Sequence, residues 1–148
     1  MNEKICTFFG HRTVDEPIEA ALYGTICQVI EQNKVTAFYV GGHGEFDKMC
    51  ASAVRIAKRQ YPEIRLILVK PQMTHEFSAH RNWYAMMFDD VMIPAESNLA
   101  NYKAAIPIRN RWMAAHADII VTYLRREYGG AFNAVKYAQK QRKSIIAL

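Results

Sequence analysis

The sequence predicts an α/β fold: a doubly wound, mostly parallel sheet with helices on both faces. Three observations lead there. Residues 5–9, 36–40 and 64–69, apart from Thr7, Thr36 and Arg65, are apolar on successive positions rather than alternate ones, as suits strands covered on both sides. These runs alternate with stretches of helical periodicity, the pattern of right-handed crossovers between parallel strands. Several of the strands end in glycine-bearing corners, and in such sheets ligands settle outside the carboxyl ends of the strands.

Taken in order, the strand over 5–9 reads as a central one and closes at Gly10, His11 and Arg12. Asp15 is predicted to cap the first helix with Pro17 in its first turn, and Ile18, Leu22, Ile26, Val29 and Ile30 then recur at helical spacing as far as Asn33. The second strand breaks at Gly41 and Gly42 into a helix whose buried stripe is Phe46, Met49, Cys50, Ala53, Val54 and Ala57. Between residues 70 and 107 the pattern weakens. Residues 88–93 are read as one more strand, while His75, His80, Arg81, Trp83 and Tyr84 suit either a lid or a packed surface helix. Order returns at Ile108 with a helix through Arg109, Trp112, Met113 and His116, a strand over 118–124, a helix over 132–141 and a last strand over 144–148. The whole is a Rossmann-like layer sandwich without repeats.

Length bounds the organisation: 148 residues suit one domain, 1–148. No apolar run approaches the roughly 20 residues that span a bilayer, so no membrane partner is expected. The first nine residues carry an acid beside a lysine and no small-residue cleavage site, which points to a cytoplasmic protein. Cys6, Cys27 and Cys50 lack CxxC spacing and read as reduced core thiols. No metal set stands out, because His75 and His80 lack a third ligand. The net charge of +5 favours encounter with phosphate-bearing partners, yet the cations are dispersed. Their densest group, Lys136, Lys140, Arg142 and Lys143, reads as a solvated helix end.

Three corners carry the candidate site: FGHR at 9–12, GGHGEFD at 41–47 and YGGAFN at 128–133. None is the dinucleotide fingerprint GxGxxG after the first strand, and none is a GxxxxGK[ST] phosphate loop. If their strands are neighbours, the corners share one crevice in which backbone N–H groups cradle phosphate or ribose, and Arg12 with Arg109 or Arg111 makes bidentate contacts to an anion. Asp47 suits either a ribose hydroxyl or the positive end of the second helix. His11 and His43 titrate near neutral pH, although a loop histidine more often serves as a hydrogen-bonding group.

The opening strand ending in GHR, the corner GGxxxFD, the stretch RNRWMAAHADIIV (109–121) and GGAFNAVKYA (129–138) together resemble the SMF/DprA–LOG, or SLOG, superfamily, and within it the small bacterial YpsA-like branch. The resemblance spans nearly the whole chain. It implies binding of a nucleotide or nucleotide-derived ligand through Gly10, His11, Arg12, Gly41, Gly42, Asp47, Arg109, Asn110, Arg111, Gly129, Gly130 and Asn133; Gly44, in the same corner, is added to the candidate ligand-binding set, and no cofactor is expected. Phe9 and Ala131 stand where that branch usually has threonines. Some relatives cleave an N-glycosidic bond of a nucleoside monophosphate, using the glutamate of GGxGTxxE. Lys136 occupies that place here, so an enzyme of this kind needs Glu45 or Asp47 as its acid.

The leading expectation is therefore binding or sensing of a small nucleotide-like ligand. An N-glycosidase is the alternative. Single-stranded DNA binding, with Trp83, Tyr84 and Trp112 as stacking platforms, ranks third, so nucleic acid is not the expected partner. Self-association is left open.

Overall fold

In the computed structural model, which describes residues 3–148, six strands form one parallel sheet. They are β1 (Lys4–Gly10), β2 (Val35–Val40), β3 (Arg65–Val69), β4 (Asp90–Met92), β5 (Ile119–Tyr123) and β6 (Ser144–Ala147), in the spatial order β4-β3-β2-β1-β5-β6. β1 is indeed central, with Cys6 opposite Phe38 on one side and Ile119 on the other.

Side chains alternate across the strands and so feed two cores. On one face Phe8, Phe38, Leu66 and Leu68 pack with Leu22 and Ile26 of α1 (Glu19–Asn33) and with Phe46 and Val54 of α2 (Gly44–Ala57). On the other, Phe9, Tyr39, Ile67 and Ile120 meet Met113 of α6 (Tyr102–His116) and Val135 of α7 (Gly130–Lys140). This double cover explains why the strands lack a polar face.

The chain winds outward from β1 to β4, then returns to lay β5 against β1 and ends on β6. The connections leaving β1 and β5 consequently diverge to opposite faces. Such a switch point leaves a crevice beyond the strand ends.

Four boundaries differ from those predicted. α1 begins at Glu19 with Ile18 as its N-cap residue, and neither Asp15 nor Pro17 belongs to it. The preceding loop is drawn across the sheet edge instead: Tyr123 and Arg125 donate to the Glu16 carboxylate at 2.9 and 2.6 Å, and Val14 N donates to Glu45 at 3.1 Å. α6 starts six residues before Ile108, capped by Asn101, whose side chain accepts from Ala104 N at 3.0 Å. Pro107 lies inside this helix and removes the donor to the Lys103 carbonyl; both residues are exposed, so water can serve that group. α7 begins at Gly130, two residues early. β4 keeps only three of the six residues read as strand, because Asp89 turns its carboxylate to Leu66 N at 2.7 Å.

The weakly patterned segment folds as α3 (His75–Ala79), α4 (Arg81–Met87) and α5 (Ala95–Asn98). Phe77 and Tyr84 pack into the first core, so the packed surface helix is the reading observed, with Trp83 left 51% exposed. Cys6 and Cys50 are buried and Cys27 partly so, all three as free thiols.

Candidate functional site

The corners after β1 and β5 meet the start of α2 in a crevice of about 160 Å³ at the switch point. Of the sequence-predicted residues, Gly10, His11, Arg12, Asp47, Arg109, Asn110, Gly129 and Gly130 line it. Close backbone approach builds these walls. A Cβ on Gly10 would lie 2.2 Å from the Phe46 ring, and one on Gly44, whose φ is +89°, would lie 2.7 Å from the Arg12 Cα. Arg12 O also accepts from Glu45 N at 2.9 Å, which locks the first corner onto α2.

Gly129 adopts φ +101° and no side chain caps α7, so the first-turn amides of that helix face the crevice without intrahelical partners. This is the geometry that accommodates anions. Arg12 and Arg126 also line the crevice, both exposed, and among the described residues neither is paired with an acid. The Arg126 guanidinium stacks over Tyr128 at 5.0 Å.

The buried polar groups have structural partners. Arg109 is only 2% exposed and donates through Nη1 to the carbonyls of Gly41 (2.9 Å) and Val69 (2.7 Å), and through Nε to Asn110 Oδ1 (2.9 Å). Its guanidinium thus ties β2 and β3 to α6 rather than standing free for an anion, and burial lowers its pKa to about 10. Gly41 makes this possible, since a Cβ there would lie 3.2 Å from both Arg109 Cζ and Asp47 Oδ2. His11 is buried and its Nε2 accepts from Arg125 N at 2.8 Å; burial, then Arg126 and Arg125, lower its pKa and keep it neutral. His11 is a brace between the first and last corners.

Asp47 accepts from His43 N at 2.9 Å, at the positive end of α2. Burial pushes its carboxyl up to about 6, against the opposing pull of that N–H and of Arg109. His43 is lowered by burial and then by Arg109, and its Nδ1 lies 3.2 Å from Gly41 O and 3.3 Å from Arg109 Nη2. A carboxyl raised to about 6 still carries a proton in a minor fraction of molecules near neutral pH, which is the property a general acid or base needs.

Other predicted residues lie elsewhere. Glu45 does not line the crevice; its carboxylate accepts from Val14 N, which leaves Asp47 as the one acid of the pair at the site. Arg111 and Asn133 line an adjoining groove between α6 and α7, together with Lys136; it shares Ile106, Asn110 and Gly130 with the crevice. The divergence of neighbouring helical positions is the cause: Asn110 borders both cavities and Arg111 only the groove. Gly41 and Gly42 border a third cavity, on the far side of the β2–α2 corner. His43, weighed with His11 as a loop histidine, also lines the crevice, and Arg126 is the charged crevice residue that sequence reasoning missed. The available signal for Arg126 was the pair Arg125–Arg126 directly ahead of the last glycine corner.

Among the described residues no cluster of three or more His, Cys, Asp or Glu side chains suits a metal, and no helix is long and apolar enough to cross a membrane.

No family model and no curated protein matches this chain. Solved structures do. DNA processing protein A from Helicobacter pylori, described for its single-stranded DNA binding mode, matches with a TM-score of 0.66 and 15% identity over 97% of this chain and 64% of that one. The corresponding protein from Streptococcus pneumoniae matches with a TM-score of 0.66 and 15% identity, over 98% of this chain and 50% of that one. A molybdenum cofactor binding protein from Rippkaea orientalis matches with a TM-score of 0.62 and 16% identity, over 99% of this chain and 77% of that one. The chain therefore spans about two thirds or half the length of the two DNA processing proteins. At these identities the likeness is one of fold, and the Rossmann-like architecture implied by the motif resemblance to the SMF/DprA–LOG superfamily is borne out. The expectation that nucleic acid is not a partner finds no support in these likenesses.

Proposed function

We propose that this chain, acting as a single domain, binds a nucleotide or nucleotide-derived ligand at the crevice, with the phosphate on the first-turn amides of α7 and the guanidinium groups of Arg12 and Arg126. The observation that carries this reading is the convergence of an uncapped helix N-terminus with two exposed, acid-free arginines at the topological switch point. Calorimetric titration with ribose 5-phosphate, AMP and ADP-ribose tests it. Binding is expected to weaken about 10-fold or more in the Arg12→Ala/Arg126→Ala double variant, as two charge-assisted contacts are lost. Silence across the panel from folded wild-type protein sinks the reading.

Single-stranded DNA is the second reading, favoured by the fold shared with DNA processing protein A and by the half-exposed face of Trp83. Gel shifts of an oligo-dT strand over a salt series separate the two, since phosphate-driven binding falls steeply with salt. Hydrolysis of an N-glycosidic bond rests on Asp47 alone, supported by its raised pKa. Chromatography for free base released from AMP tests it, and turnover that survives Asp47→Asn excludes that mechanism.

A further inference from the structure

The cavity beyond the β2–α2 corner differs in kind from the crevice. It encloses about 430 Å³ between α2 and α4 and is lined by Trp83, Tyr84, Met87 and Phe88 together with Arg55 and Lys70. Its flat walls come from the aromatic cluster: Trp83 stands edge-on to Tyr84 at 5.0 Å, and Tyr84 stacks near Phe88 at 6.4 Å. Polar donors sit inside it. The Arg55 guanidinium lies 5.1 Å over the Phe88 ring and the Lys70 ammonium 5.6 Å over Tyr84, while the Ser52 hydroxyl side chain lines the rim. The cations cover the Phe88 and Tyr84 faces, which leaves the exposed Trp83 ring as the open stacking surface beside charged donors; this pairing matches a planar heteroaromatic group better than an aliphatic chain, because its face stacks and its ring nitrogens and carbonyls accept.

Two further facts bear on what this cavity receives. Trp83 is not needed to hold α4 in place, since Phe77 and Tyr84 supply the buried contacts of the α3–α4 pair and Trp83 stays 51% exposed. His43 and Asp47 line this cavity and the crevice alike, so one molecule lying across the corner can occupy both.

We propose that the aromatic pocket between α2 and α4 is the base subsite of a nucleotide whose phosphate occupies the crevice, with His43 and Asp47 flanking the sugar between them. The inference rests on the phosphate reading of the crevice and adds the part of the ligand that confers selectivity. Stacking of one base on an aromatic side chain is strong enough to change affinity roughly 10-fold or more, and it tolerates different bases.

The experiment compares AMP, adenosine and ribose 5-phosphate by calorimetry on wild type, Trp83→Ala and Trp83→Phe. The expected result is that AMP binds wild type more tightly than ribose 5-phosphate, that Trp83→Ala weakens AMP about 10-fold while leaving ribose 5-phosphate within twofold, and that Trp83→Phe restores most of the loss. Undiminished AMP binding in Trp83→Ala overturns the base subsite and leaves the phosphate crevice standing. Adenosine binding that is lost in Trp83→Ala, with ribose 5-phosphate silent on wild type, supports the pocket and overturns the crevice as the phosphate site. Silence of all three probes on folded wild type overturns both.

Discussion

The crevice and the aromatic pocket lie on either side of one corner and share two side chains, yet they are built by opposite means. Backbone makes the crevice: glycines at positions 10, 44 and 129 and the open amides of α7 shape it, and its arginines sit at the rim. Side chains make the pocket, with the rings of α4 laid against α2 and the end of β3. The difference teaches where each can be altered. A backbone-built site fails when the main chain is displaced, whereas a side-chain-built site changes its preference one ring at a time.

The largest expected effect comes from forcing the main chain. Gly44→Ala places a Cβ 2.7 Å from the Arg12 Cα at a φ of +89°, and neither the backbone strain nor the contact can relax cheaply. A loss on the order of 2–4 kcal/mol in chemical denaturation is expected, with both cavities compromised. Gly129→Ala provides the contrast: φ is +101°, but a Cβ there meets nothing within 4 Å. Only the strain remains, about 1–2 kcal/mol, and the damage is confined to the crevice. Equal losses from the two substitutions would break the distinction between a shared wall and a free-standing corner.

A smaller, pH-dependent effect sharpens the role of the common wall. The Asp47 carboxyl is raised by burial from 3.8 to about 6, so its folded-state contribution is fully present below about pH 4 and is lost as pH rises through about 6. Asp47→Asn keeps an acceptor for His43 N without the charge. The variant should therefore gain on wild type in thermal stability between pH 5 and pH 7.5, by about 1–2 kcal/mol after allowance for partial exposure. A difference that is flat with pH would show that the carboxylate is solvated. Smallest of all is Glu45→Gln, which retains an acceptor for Val14 N and touches neither cavity. Stability within about 0.5 kcal/mol of wild type and ligand affinity within twofold are expected; a marked loss of affinity would return Glu45 to the site.

The same contrast governs what the sequence made legible. Glycine corners after apolar strands are local signals, so the parallel sheet, the central place of β1 and the position of the crevice followed from residues 5–12, 36–47 and 118–130. Nothing local shows which neighbouring side chain turns inward. Asn110 borders both the crevice and the groove between α6 and α7 while Arg111 and Asn133 border only the groove, and Arg109, chosen as a ligand for anions, is enclosed by carbonyls 40 and 68 residues away. The pocket escaped for a related reason. Residues 74–88 form two helices too short to display a period, and their rings gain meaning only against Arg55 and Lys70 from other elements. Pro107 misled in the other direction, since an exposed helix face tolerates a missing donor that sequence rules treat as a boundary.

The central place of β1 also has a temporal side. Ile5 N donates to the carboxylate of Asp118, 113 residues later, and β5 pairs along β1 from Cys6 to Gly10. At about 5–20 residues per second of synthesis, the first strand waits roughly 6–23 s for the neighbour that covers its second edge. During that interval β2 covers one edge and α1 and α2 one face, while the second edge and the face later covered by α6 and α7 wait, and the crevice does not exist until the last third of the chain has emerged.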